Sequence, residues 1–307
     1  FNTILSLTLQ AENDSGIQPP SFSKESGFYD NEFELTLTSS DKILYTIDGS
    51  NPAKSNTAIE YSSPIKITDR SKEPNVFANY EENENSAQSI SRMNNYRKPK
   101  FLLDKATIIR AVTKTSSGTS KVVDNTYFVT TGDLSYYRDI DTVSIVTHPE
   151  NLFDPDIGIY VTGNQFLEWK KNDPSAGRMN PWDINCKCNY YGKGKEWERE
   201  ATITIFEKGK VTIKQAISLS LKGASTRNNS AKSFEIKAKK EYGSNVIQSS
   251  TLLPDNKDWS GKSISEYSSF ALRSVYDKGR MREKIAREIL KERKYISTTS
   301  MKDAALF

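Results

Sequence analysis

A turn of small residues, Gly223-Ala224-Ser225-Thr226, runs into Arg227, and five residues later Lys232 leads into an alternating segment. In that segment Phe234, Ile236 and Ala238 share one face of a strand, and Ser233, Glu235 and Lys237 share the other. Lys232 has the parity of the apolar face. A lysine placed there must either carry its head out to water or meet an anion, because an unpaired ammonium is costly to bury. A Gly- and Ser-bearing turn, an arginine and an inward lysine together form a set that could meet phosphate oxygens. A strand-edge lysine with a solvated head is the plain alternative.

Other chemistry is poorly provided for. The chain holds one histidine, His148, in Thr147-His148-Pro149. That excludes a zinc site built on several histidines, and it reads as a structural loop residue rather than a catalytic base. Cys186 and Cys188 are two positions apart in a polar stretch. Two thiolates cannot close a tetrahedral zinc site, and the C-x-C spacing is not that of a C-x-x-C redox motif. Two surface thiols and a local strained disulfide both remain open. No metal site is expected. The sequence contains no G-x-x-x-x-G-K-[ST] loop, no G-x-G-x-x-G after a strand and no G-x-S-x-G elbow.

The elements that must hold these residues are mostly strands. Phe33, Leu35 and Leu37 alternate with polar residues, as do Ile43, Tyr45 and Ile47, a run that stops at the turn dipeptide Asp48-Gly49. Further strands are expected around Ile65–Ile67, 107–113 and 126–129, the pattern of an antiparallel sandwich. Between them residues 69–104 are polar and carry Glu81-Glu82-Asn83-Glu84-Asn85, which reads as a mobile surface insertion. Beyond residue 132, alternation returns at Ala201, Ile203 and Ile205 and at Ile217, Leu219 and Leu221. After Asp277-Lys278-Gly279, the fourfold recurrence of Met281, Ile285 and Ile289 predicts an amphipathic helix. The fold class is therefore α+β, mostly β.

With 307 residues the chain has room for two domains, and a net charge of +4 spread along it gives no electrostatic footprint for nucleic acid. No window reaches the ~18 apolar residues of a membrane span. Residues 1–10 read either as the trimmed end of an export signal or as a short strand, and Pro19-Pro20 closes a polar linker.

Two resemblances refine this outline. Gly27-Phe28-Tyr29, the stretch Tyr45-Thr46-Ile47-Asp48-Gly49-Ser50-Asn51-Pro52, Tyr61, Pro64-Ile65 and Ile109-Arg110-Ala111 resemble the C-terminal β-sandwich module of chitobiases and hexosaminidases. The resemblance covers residues 21–131 and implies an immunoglobulin-like accessory domain, not a hydrolase. Asp48 is accordingly read as a turn residue.

Gly158-Ile159-Tyr160-Val161, Trp197-Glu198-Arg199-Glu200-Ala201, Ser225-Thr226-Arg227, Lys232-Ser233-Phe234, Tyr242-Gly243, Phe270-Ala271-Leu272-Arg273 and Met281-Arg282-Glu283 occur in the order seen in the spore-coat protein H (CotH) kinase family. Residues 132–307 thus resemble the N-terminal portion of an atypical, kinase-like domain. The resemblance implies ATP and Mg²⁺ as cofactors, met by Arg227, Lys232 and Arg282, with Lys232 analogous to the phosphate-contacting strand lysine of kinases. It also implies protein substrates of a bacterial spore coat or cell surface. The family's catalytic and metal-binding acidic residues lie after the helix, and none follows before Phe307, so this chain alone is expected to be inactive. The competing expectation is a non-catalytic surface module, with glycan as a candidate partner for Trp169, Trp182, Trp197 and Trp259.

Overall fold

The structure is a computed structural model, which describes residues 16–79, 85–92, 98–130, 135–173, 175, 180, 182–258, 260–274, 280–292 and 300–307. It is mostly β with few helices. The chain start, residues 1–15, lies outside the described residues, as do Glu81–Glu84 and Trp259.

The first sheet is built from β1 (Gly27–Tyr29), β3 (Lys42–Thr46), β4 (Ile59–Glu60), β6 (Thr107–Thr115) and β7 (Val123–Val129) in the order β1-β7-β6-β3-β4. β1 runs parallel to β7, and the other pairs are antiparallel. A smaller layer, in which β2 (Phe33–Leu35) pairs with β5 (Ile65–Ile67), closes the sandwich. Leu35, Leu37, Ile43, Ile67, Ile109, Ala111, Tyr127 and Val129 fill the space between the layers. These are the alternating residues that the sequence pattern places inward, and burying them is what drives the strands together.

The second sheet runs β12-β11-β10-β9-β8-β13, from β8 (Asp141–Val146), β9 (Arg199–Glu207), β10 (Lys210–Lys222), β11 (Ser233–Lys237), β12 (Ser269–Leu272) and β13 (Ala304–Leu306). One face carries Ala201, Ile203, Ile205, Ile217, Leu219, Leu221, Phe234 and Ile236, all buried. Ile159, Phe166, Tyr190 and both cysteines lie on that face as its cover. Phe166 comes from α3 (Asn164–Asn172), a helix that follows α1 (Ser135–Asp139) and α2 (Pro149–Phe153). Its short, largely polar sequence and glycine N-cap give no periodic signal. α4 (Arg280–Glu292) forms where predicted. Its Ile285, Ile289 and Leu290 are exposed rather than inserted in a core, so periodicity locates the helix without showing what it faces. Among the described residues no helix is long and apolar enough to cross a membrane.

The outer face of the first sheet does not face water. Thr46, Arg110, Val112, Asp124, Thr126 and Phe128 are all buried, and Thr126 and Phe128 meet the second sheet on the face away from its core. Thr126 Oγ1 and Ser144 Oγ are 3.0 Å apart, and Lys214 Nζ donates to Asn125 Oδ1 at 2.6 Å. Phe28 stacks on Phe128 at 4.6 Å, and Phe206 meets both rings edge-on at 5.4 and 5.6 Å. Phe307 adds a further edge contact to Phe128 at 4.9 Å. At the other end of this seam the Asp48-Gly49 turn comes against the chain before α2. A Cβ on Gly49, whose φ is +81°, would lie 2.9 Å from Thr147 O. The seam explains why serine and threonine on the strands are as buried as the aliphatic residues beside them.

Within the insertion at 69–104, the described segment 85–92 departs from the expectation of a mobile surface loop. Residues 85–92 form a strap across the second sheet's cover, with Ser89, Ile90, Ser91 and Arg92 all buried. Thr162 N donates to Ser89 O and Gly163 N to Ala87 O, both at 2.7 Å. The strap holds through backbone groups, which leave no mark on hydropathy. Gly163 has φ +88°, and a Cβ there would fall 2.0 Å from Oδ1 of the buried Asn189. Gly163→Ala is expected to lower stability by about 2 kcal/mol, from left-handed strain plus displacement of Asn189. A thermal melt of the purified variant checks this, and an unchanged midpoint would contradict it.

Candidate functional site

Arg227 and Lys232 sit on the connection between β10 and β11. Ser225–Asn228 make a single 3-10 turn, and Lys232 immediately precedes β11. The inward parity expected of Lys232 is correct, since the residue is 4% exposed. Its head, however, is not carried out to water. Nζ donates to Ile90 O at 2.7 Å, Arg227 O at 2.5 Å and Asn229 O at 2.8 Å. It also lies 4.2 Å from the ring centre of Tyr190 and 5.1 Å from that of Tyr160. Three carbonyl dipoles and two aromatic faces replace the hydration of the ammonium. Sequence reading missed this third solution because the partners are backbone carbonyls, one of them on the strap 142 residues away.

Arg227 is half-buried. Nη1 donates to Gly192 O at 2.8 Å, and Nε is buried without a hydrogen-bond partner. Burial lowers its pKa, with the charge of Glu235 opposing. Arg282 lies on α4, and its side chain falls outside the described residues. The structure thus brings Arg227 and Lys232 together in one turn and joins Arg282 to them by nothing that is described.

The motif residues around this turn are engaged in the fold. Arg199 clamps three carbonyls: Nη1 donates to Glu196 O at 2.7 Å and Glu198 O at 2.8 Å, and Nε to Ile157 O at 3.1 Å. Its guanidinium lies 5.8 Å from the Trp197 ring. Across the outward face of β11 the charges alternate: Lys222 to Glu235 at 2.7 Å, Glu235 to Lys237 at 3.3 Å, Lys237 to Glu198 at 3.5 Å, then Glu198 to Lys239. Burial works to raise the Glu198 carboxyl, but the Lys239 hydrogen bond and charge outweigh it and hold the group below its ordinary range.

A nucleotide with Mg²⁺ does not fit the turn as it is arranged. All three donors of the Lys232 ammonium are taken by carbonyls, so a phosphate would have to displace the strap or the turn itself. Among the described residues no group of three or more His, Cys, Asp or Glu is placed to hold a metal ion.

The remaining sequence candidates have structural places. His148 caps α2, its Nδ1 accepting from Glu150 N at 3.2 Å. Trp169 and Trp197 pack against the second core. Asp48 closes its turn by accepting from Ser50 N at 2.9 Å and from Thr57 Oγ1 at 2.7 Å. Burial would raise its pKa, but these bonds win and hold it below the usual carboxylate range. The cysteines are not surface thiols, since both are buried and free.

No curated protein and no solved structure matches the chain. Residues 24–91, which hold the Asp48 turn and end in the strap, match the family model described as the chitobiase/beta-hexosaminidase C-terminal domain.

Proposed function

We propose that this chain is a non-catalytic structural unit of an exported bacterial surface or spore-coat protein, in which a chitobiase-type module is fused to a sheet with the frame of a kinase-like nucleotide lobe. The observation that carries this reading is the Lys232 ammonium, spent on three backbone carbonyls and two tyrosine rings rather than left for a phosphate. In this role the lysine is a fastener. It ties the strap from the first module to the turn before β11 and so holds the two sheets in one unit. Proteins or glycans of the coat or wall are the partners such a unit would present itself to.

Isothermal titration with ATP and Mg²⁺ tests the reading, and no saturable heat is expected up to millimolar nucleotide. A second reading keeps ATP-dependent phosphoryl transfer to Ser/Thr of coat proteins, and Arg227 favours it. A half-buried guanidinium with an unpartnered Nε, on a turn of small residues, is what a phosphate could complete. Saturable nucleotide binding that disappears in Arg227→Ala would replace the first reading with this one.

A further inference from the structure

The two cysteines lie where neither reading uses them. Cys186 and Cys188 are 4% and 3% exposed, and their sulfurs are 2.8 Å apart. Cys188 precedes the 3-10 turn Asn189–Tyr191, whose Tyr191 N donates back to Cys188 O at 3.0 Å. Cys186 N reaches Asp183 O at 3.3 Å. Both ends of the Cys-Lys-Cys loop are therefore pinned, and the sulfurs are held face to face by backbone on either side.

Arg92 of the strap is a charged neighbour of this pair. It is 8% exposed, its guanidinium lies 4.6 Å from the Phe166 ring centre, and its Nε and Nη1 are buried without hydrogen-bond partners. No carboxylate among the described residues forms an ion pair with it. A buried cation in that state calls for an anion, and its charge acts on the thiol of Cys186. The Cys188 hydrogen bond first, and Arg92 in addition, hold Cys186 below the ordinary thiol range against the effect of burial. Burial and the facing Cys186 push Cys188 up. Of the two sulfurs, Cys186 is therefore the one more readily converted to an attacking thiolate.

We propose that Cys186 and Cys188 form a reversible dithiol–disulfide site that reacts with small-molecule disulfides, Cys186 being the attacking sulfur and Cys188 the resolving one. The Cys186 thiolate attacks one sulfur of the small disulfide, a mixed disulfide forms and one small thiolate leaves. Cys188 then attacks the Cys186 sulfur, its proton passing to the departing thiolate, and the second small thiol is released. Two protein thiols are oxidised to one bridge, and one small disulfide is reduced to two thiols. A bridge closed through a single intervening residue is strained, which makes it readily reducible and so reversible, unlike a structural crosslink.

Lys187, between the cysteines, provides the assay. The full chain is incubated with glutathione disulfide, its remaining thiols are blocked, and it is digested with trypsin, which cuts after Lys187. The expected product is the pair of flanking peptides joined as one species, lighter than their sum by about 2 Da and separated by dithiothreitol. Cys188→Ser is expected to stop at a single glutathione adduct on Cys186. Adducts on both wild-type cysteines, or both thiols still free after prolonged incubation in glutathione disulfide, would overturn the proposal. An adduct held by Cys188 in a Cys186→Ser variant, formed as fast as that on Cys186, would overturn the assignment of roles.

Discussion

Lys232→Met is expected to lower the unfolding free energy by about 4 kcal/mol, the sum of up to three buried carbonyls left without a donor at roughly 1–3 kcal/mol each, less what relaxation recovers. Methionine keeps most of the volume and the contact with the tyrosine rings, so the loss reports the ammonium and not a cavity. The effect has a spatial signature. Ile90 O belongs to the strap, whose other anchors include the amides of Thr162 and Gly163. With the strap loosened, hydrogen exchange at those two amides is expected to accelerate well beyond that of β9 and β10. Urea denaturation gives the first quantity and exchange by mass spectrometry the second. A loss below about 1 kcal/mol would mean that water substitutes for the ammonium and that Lys232 is not a fastener.

Phe206→Ala is expected to cost about 3–5 kcal/mol, the usual range for deleting a fully buried aromatic ring. Phe206 is 0% exposed, but it belongs to neither of the two sheet cores and instead fills the seam against Phe28 and Phe128. The truncation should therefore weaken the coupling of the sheets more than either sheet itself. Scanning calorimetry is expected to resolve two transitions where the parent chain gives one. A single transition, shifted but not split, would show that the polar contacts at Thr126, Ser144 and Lys214 couple the sheets on their own.

Much of the architecture was legible because alternation of apolar residues reports one buried face. Ile203, Ile205, Leu219, Phe234 and Ile236 lie where period two places them. The seam was illegible for the complementary reason. Thr126, Ser144 and Thr204 are polar, and a polar face buried against another sheet carries no hydropathic mark. The site was legible in part. The parity of Lys232 placed it on the apolar face with a solvated head or an anion as its expected ends, whereas its partners are carbonyls, which every residue type has. The strap was hidden twice over, being polar in composition and held by its backbone. The helix of residues 280–292 shows the opposite case, a clear period whose exposed Ile285 and Ile289 disclose no partner.

The strap also separates two kinds of boundary. The family match ends at residue 91, within a segment whose carbonyls and guanidinium complete the other sheet's cover. The boundary between the two sheets in sequence therefore differs from their boundary in space, because a segment between β5 and β6 of the first sandwich is also part of the second sheet's cover. Were the first module exchanged for another of the same family, the incoming copy would have to bring a chain that reaches Lys232 and Thr162, or the second sheet would be left open at that point. Module shuffling at this position is constrained from a distance, by backbone acceptors that any residue could supply only if the path of the chain were kept.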